Sequence, residues 1–326
     1  MARLRKSRDF SEHHRLTYVA IAVFLLADIG LIGLALASSR SANSASKPGP
    51  IPTFESTAPA SAAAVKPAPT PTPTPSPTAT SPAAVPTRIL SAFNASTAWR
   101  ATTGACPATA ASPQISTDSG ATWKTMDATG TTKVTALQRI IVGSAASATM
   151  IGLSQVGCAP ELVKTFVSGR NFASYPKELA SAWYVNPAAR GSVHSPSGDR
   201  PAPCLTVVAI APSDATSAAV LCADHTVYAT VDAAVTWSPQ ISVPGASNLA
   251  VSTQGYLATA AADPRCAGVR LVTLAGNPLA TTTTACLPLA AAPPVDQVAV
   301  SQAAGTLWVW AGDSLKRSGD GGATWQ

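Results

Sequence analysis

An all-β array of about five repeated sheets is predicted by three features of the 326-residue sequence. The first is one turn written three times. Ser116-Thr117-Asp118-Ser119-Gly120-Ala121-Thr122-Trp123 returns as Ser318-Gly319-Asp320-Gly321-Gly322-Ala323-Thr324-Trp325, and again as Thr230-Val231-Asp232-Ala233-Ala234-Val235-Thr236-Trp237. The second is a series of short apolar strands upstream of these turns: Leu137 to Val142 and Ala148 to Leu153, Leu205 to Ile210 and Ser217 to Cys222, Val295 to Val300 and Thr306 to Trp310. Similar spacing with turn signals is the mark of a repeat array. The third is two weaker copies of the turn, Thr165 to Phe172 and Val272 to Leu279, in the intervals too long for a single repeat of about 40–50 residues. Five turns imply about five sheets, or six if one copy has decayed beyond reading.

The turn explains its own residues. An Asp carboxylate and a Ser or Thr hydroxyl can hydrogen-bond the backbone of a tight bend, and Gly takes a positive φ that a Cβ opposes. Thr122, Thr236 and Thr324, each followed by Trp, then open a returning strand in which β-branched and aromatic residues suit a half-buried sheet. In the middle copy Ala234 stands where Gly120 and Gly322 stand, so that turn is expected to be strained by roughly 1 kcal/mol or reshaped.

The pattern S/T-x-D-x-G-x-T-W resembles the Asp-box of the BNR repeat, found in sialidases, sortilin-type receptors and the photosystem II assembly factor. The resemblance implies a β-propeller, with Ser116, Asp118, Thr230, Asp232, Ser318 and Asp320 acting as structural staples of the blades and not as catalytic carboxylates. A cytoplasmic basic tail, a transmembrane helix and a Pro-rich linker are expected ahead of it.

Those leading segments are read from composition. Residues 1–16 carry Arg3, Arg5, Lys6, Arg8 and Arg15 against Asp9 and Glu12, and an apolar stretch follows over residues 17–37. About twenty apolar residues cross a hydrocarbon core of roughly 30 Å, and a basic flank stays inside. The expected location is therefore a cell membrane crossed once, with a cytoplasmic N-terminus and the remainder outside. Ala35-Leu36-Ala37 before Ser38 also fits a signal-peptide cleavage site, although the apolar run exceeds the usual h-region of about 7–15 residues. Residues 38–87 are rich in Ala, Pro, Ser and Thr, including alternating Pro from Pro67 to Pro75, and read as a disordered linker. The ectodomain is residues 88–326.

About half of the net charge of +6 lies in the basic tail, and the segment from Arg88 onward has 14 basic against 12 acidic residues. Such a near-neutral domain lacks the electrostatic footprint of a nucleic-acid binder. The six cysteines, none in a CxxC spacing, read as disulfides of an oxidising compartment. Six cysteines allow about fifteen pairings. Cys266 and Cys286 lie almost equally far from the Gly276-Asn277 turn, and Cys204 and Cys222 flank the bend near Asp214. Cys106 and Cys158 are left to each other by elimination.

No metal or cofactor is expected, because no ligand spacing, P-loop, dinucleotide fingerprint, HExxH or GxSxG occurs. A sialidase-like or other glycoside hydrolase would need an arginine triad and a Tyr-Glu pair, or two carboxylates. The Phe-Arg-Ile-Pro motif is absent, and Glu161 and Glu178 are the two glutamates after Arg88. Asp199, Asp224 and Asp263 could still meet across blades. A binding or scaffold module for a cell-envelope glycan or protein fits better. Its candidate binding residues fall in the long connection between Phe172 and Cys204: Trp183, Tyr184, Arg190, His194 and Arg200, since aromatics and Arg carry recognition. Ala182-Trp183-Tyr184-Val185 is equally a strand whose rings pack inside.

Overall fold

A computed structural model describes residues 81–261 and 263–326. The tail, the apolar stretch and most of the linker lie outside the described residues. Among the described residues, no helix is long and apolar enough to cross a membrane.

The chain folds into five antiparallel sheets, each running outward in chain order. Blade 1 holds β1 (Arg88–Ala92), β2 (Ala98–Thr102), β3 (Gln114–Ser116) and β4 (Lys124–Thr125). Blade 2 holds β5 (Val134–Val142), β6 (Ala148–Ser154), β7 (Pro160–Thr165) and β8 (Ala173–Ser174). An insertion comes next, made of a 3-10 helix, Pro176–Ser181, and the hairpin β9 (Ser192–Ser195) and β10 (Gly198–Pro201). Blade 3 holds β11 (Val207–Pro212), β12 (Ala218–Cys222), β13 (Thr226–Thr230) and β14 (Ile241–Ser242). Blade 4 holds β15 (Ala246–Ser252), β16 (Gly255–Ala261), β17 (Gly268–Ala275) and β18 (Ala280–Pro288). Blade 5 holds β19 (Val298–Ala303), β20 (Thr306–Ala311) and β21 (Ser314–Ser318).

The arrangement is a five-blade β-propeller. Its innermost strands adjoin in the order β11, β15, β19, β1, β5, and each junction has its own apolar core. Trp99, Leu137 and Met150 pack between blades 1 and 2, Leu221, Val227 and Leu249 between blades 3 and 4, and Leu257, Leu271 and Val309 between blades 4 and 5. Leu90, Trp308 and Trp310 close the ring between blades 5 and 1. At the remaining junction, Trp183, Val185 and Val193 of the insertion pack on blade 3. Burial on both faces is why the middle strands read as continuous apolar runs, such as Ala218–Cys222 and Thr306–Ala311.

All five predicted turns fall at one place, the outer end of the third strand of a blade. In the first box Gly120 N–H donates to Ser116 Oγ at 2.9 Å, Thr122 N–H to Asp118 Oδ1 at 2.9 Å, and Thr122 Oγ1 to Asp118 Oδ2 at 2.5 Å. The boxes at Asp232 and Asp320 repeat these bonds. The copy at Thr165 keeps the hydroxyl half without its Asp, since Gly169 N–H donates to Thr165 Oγ1 at 2.9 Å. The middle box is strained and not reshaped: Ala233 and Ala234 hold φ of 58° and 68°, beside 66° and 85° at Ser119 and Gly120. Their methyls are buried against the insertion's core, which offsets part of that cost.

The three disulfides are Cys106–Cys158, Cys204–Cys222 and Cys266–Cys286. The first ties a loop of blade 1 to the β6–β7 turn of blade 2.

Arg88 to Phe93 suits, by sequence, the outer strand of the last blade, closing the ring from the other end. Arg88–Ala92 is instead the innermost strand of blade 1, registered with β2 from Arg88↔Thr102 to Ala92↔Ala98. The cause is local: Asn94 Oδ1 accepts from Ser96 N–H at 2.9 Å and Thr97 N–H at 2.8 Å, turning the chain straight back on itself. The outer position of blade 5 is begun by Gln326, which exchanges two backbone hydrogen bonds with Arg317.

Candidate functional site in the central cavity

Inner strands that all run the same way around an axis begin at one mouth and line one central space. Here they enclose a cavity of about 330 Å³, lined by Arg88–Ala92, Gln138–Val142, Val208–Pro212, Asn248–Val251 and Ala299–Gln302. Tyr184, Val185 and Arg190 complete the wall, wedged where β5 and β11 do not adjoin. The wall mixes aliphatic side chains with Ser91, Gln138, Asn248, Ser301 and Gln302. Among the described residues three arginines line it, and no Asp or Glu does.

Each arginine is held sparingly. Arg139 interrupts the apolar β5 and is half-buried; Nη1 donates to Trp183 O at 3.3 Å, and burial pushes its pKa down to about 10. Arg190 donates from Nη1 to Val207 O at 3.1 Å, and burial lowers its pKa also. Arg88 lies over the Trp310 ring at 4.3 Å and donates from Nη2 to Gln297 Oε1 at 3.3 Å. Its Nε is buried without a partner among the described residues. Beside it, Arg100 stacks on Trp123 and Trp310 at 4.0 and 4.6 Å, its pKa lowered by burial and then by Arg88. Among the described residues no carboxylate forms an ion pair with any of these four.

The residues singled out in the insertion separate into different places. Trp183 is 3% exposed, in the core, with its indole N–H donating to Asp214 O at 2.9 Å. Tyr184 lines the cavity and stacks on His194 with ring centroids 4.4 Å apart; burial, and then Asp199, raise the phenol's pKa. His194 Nδ1 lies 2.7 Å from Asp199 Oδ1, and Nε2 lies 3.3 Å from Ala180 O. Arg190 lines the cavity, whereas Arg200 sits on β10 opposite Val193 with its Nε buried and without a partner among the described residues. The structure thus unites Tyr184 and Arg190 with two residues that sequence reasoning missed, Arg88 and Arg139. A single Arg beside the apolar run Ile140-Ile141-Val142 was the available signal.

The other carboxylates lie away from this wall. Asp224 accepts from Thr226 N–H at 3.1 Å in the β12–β13 turn. Asp263, 6% exposed, is held by Arg265 and Arg270, whose hydrogen bonds and charge depress its pKa strongly. Glu161 accepts from Ser174 Oγ at 2.6 Å, and Glu178 pairs with Lys164.

Residues 81–87, the end of the Pro-rich segment, cross the same mouth. Ser81 O lies 2.7 Å from His225 Nε2, and Ala83 N–H donates to Ala223 O at 2.7 Å. Ala83 packs with Val208 and Leu249. Val85 and Pro86 then line the cavity, and Thr87 N–H donates to Asp296 O at 2.7 Å on blade 5.

No family model matches the chain, and no curated protein does so either. Several solved structures are similar to it. YCF48 from Cyanidioschyzon merolae is 15% identical over 77% of this chain and 86% of its own, with a TM-score of 0.39. The Aleuria aurantia lectin in complex with alpha-methyl-L-fucoside is 10% identical over 76% of this chain and 96% of its own, with a TM-score of 0.46. The GH74 xyloglucanase from Xanthomonas campestris is 16% identical over 73% of this chain and 37% of its own, with a TM-score of 0.29.

Proposed function

We propose that the protein is a membrane-anchored binding module. Residues 17–37 would cross the membrane once from a cytoplasmic tail, and the linker would carry the propeller into the cell envelope. There its central cavity would engage a glycan or protein partner. The observation that supports this reading is the cavity wall: all five inner strands contribute, and among the described residues its charged side chains are arginines with no carboxylate in the lining. Glycoside hydrolysis in most families needs a carboxylate pair about 5–10 Å apart across the scissile bond, so binding is favoured over turnover.

Full-length protein in lipid nanodiscs, presented to a glycan array and to solubilised envelope fractions, tests the reading. Specific capture that Arg190→Ala weakens is the expected result. Capture unaffected by changes to the cavity wall, or saturable hydrolysis of a sialoside, would refute it.

A further inference from the structure

The cavity holds more cationic capacity than its own contacts use. A guanidinium has five N–H donors, yet Arg139, Arg190 and Arg88 each donate a single hydrogen bond to a protein oxygen among the described residues. All three line one space, and among the described residues its lining contains no carboxylate to neutralise them. Enclosed cations without counter-ions are costly unless a partner arrives. Arg is also the side chain whose planar fork matches a carboxylate. A purely structural role explains the arginines poorly, because Leu or Met would fill the same volume without that cost.

The remainder of the wall narrows the ligand. Ile141, Ile210 and Val251 are half-buried aliphatic side chains of the wall, interspersed with Ser91, Gln138, Asn248, Ser301 and Gln302, and Tyr184, already stacked on His194, is the single aromatic in the lining. A sugar ring is usually received on open aromatic faces, and the one aromatic here is already stacked. A volume of about 330 Å³ lies at the small end of ligand cavities, which run from about 300 to 1,000 Å³.

We propose that the central cavity is a site for an aliphatic carboxylate: the acid group is held by Arg139 and Arg190 with Arg88 across the mouth, and the apolar body lies along the inner strands. The inference rests on the reading of this cavity as the ligand site and names the chemistry that enters it. A free short-chain acid and the C-terminus of an apolar peptide share that chemistry.

Calorimetry on the full-length chain in nanodiscs would compare hexanoate with hexanamide, and acetyl-Ala-Val with a free C-terminus against its amide. Each acid that binds should do so about tenfold or more tightly than its amide, and Arg190→Gln should weaken it by a similar factor. Hexanoate binding identifies a free acid as the source; binding by the peptide acid alone identifies a chain terminus. Arg139→Leu separates ligand binding from architecture: acid binding should be lost while the melting temperature is unchanged or raised, because an enclosed cation without a counter-ion is removed. A fall in melting temperature with acid binding retained would make Arg139 structural and overturn the proposal. Equal affinity for acid and amide, or tighter binding of glucuronate than of hexanoate, would overturn it as well. If neither acid binds but the chain still captures envelope material, this inference fails and the binding-module reading stands.

Discussion

Replacing both Cys106 and Cys158 by Ser isolates the one disulfide between blades. The bond closes a sequence separation of 52 residues, against 18 and 20 for the other two bonds. On the chain-entropy account, the cross-link removes about 4 kcal/mol of freedom from the unfolded chain, and each shorter bond about 3 kcal/mol. The native loop has other anchors that should outlast the bond: Ala136 N–H donates to Thr109 O at 2.8 Å, and Ala110 forms a bridge with Thr135. The double variant should therefore keep its fold and lose stability chiefly through the unfolded state. For a domain of this size about 4 kcal/mol corresponds to roughly 8–16 °C in melting temperature. Urea unfolding followed by tryptophan fluorescence, alongside the equivalent Cys204/Cys222 double variant, measures both losses. A loss below about 1 kcal/mol, or free thiols at 106 and 158 in unreduced protein, would refute the reasoning.

Acid should loosen the boxes in a defined window. Asp118 and Asp232 are held at about 2, and Asp320 lower still, chiefly by the following Thr hydroxyl and backbone N–H and then by the preceding Ser or Thr. Because the folded values lie below the unfolded value of about 3.9, this stabilisation is present above that value and is lost as pH falls through the folded values. Melting curves from pH 5 to 2 should steepen there, and a triple Asp→Asn variant with the same slope would contradict the assignment. Gly120→Ala tests the box geometry: at φ 85° its Cβ would meet Leu315 Cδ2 at 2.4 Å and Trp308 Cζ3 at 3.1 Å. A loss of about 1–3 kcal/mol is expected by urea unfolding, and a neutral outcome would show that the blade 1–5 junction yields more readily than its packing suggests.

The turns and strands were legible in the sequence because their interactions are short in range. Asp118 bonds Thr122 four residues away, and β5 pairs with β6 across a few residues of turn. The disulfides Cys204–Cys222 and Cys266–Cys286 form as their spacing about the turns suggested, but not by facing across a hairpin: Val207 faces Cys222 and Arg270 faces Cys286, and Cys204 and Cys266 reach their partners from the loops that precede β11 and β17. Even Thr165, without its Asp, kept enough of the turn to be recognised. Residue type could not place Arg88, because whether Arg88–Ala92 lies inside or outside the ring depends on an Asn94 turn competing with a distant edge. Nor could it separate Trp183, spent on the core, from Tyr184 beside it, which faces the cavity. Alternation puts successive side chains on opposite faces, and only the packed insertion decides which face is which. The cavity itself belongs wholly to the tertiary structure. Arg88, Arg139 and Arg190 lie some fifty residues apart in sequence and share one space because the first residue of β1, the middle of β5 and the insertion before β9 all face the axis, a convergence set by the packing of the blades and not by any local pattern.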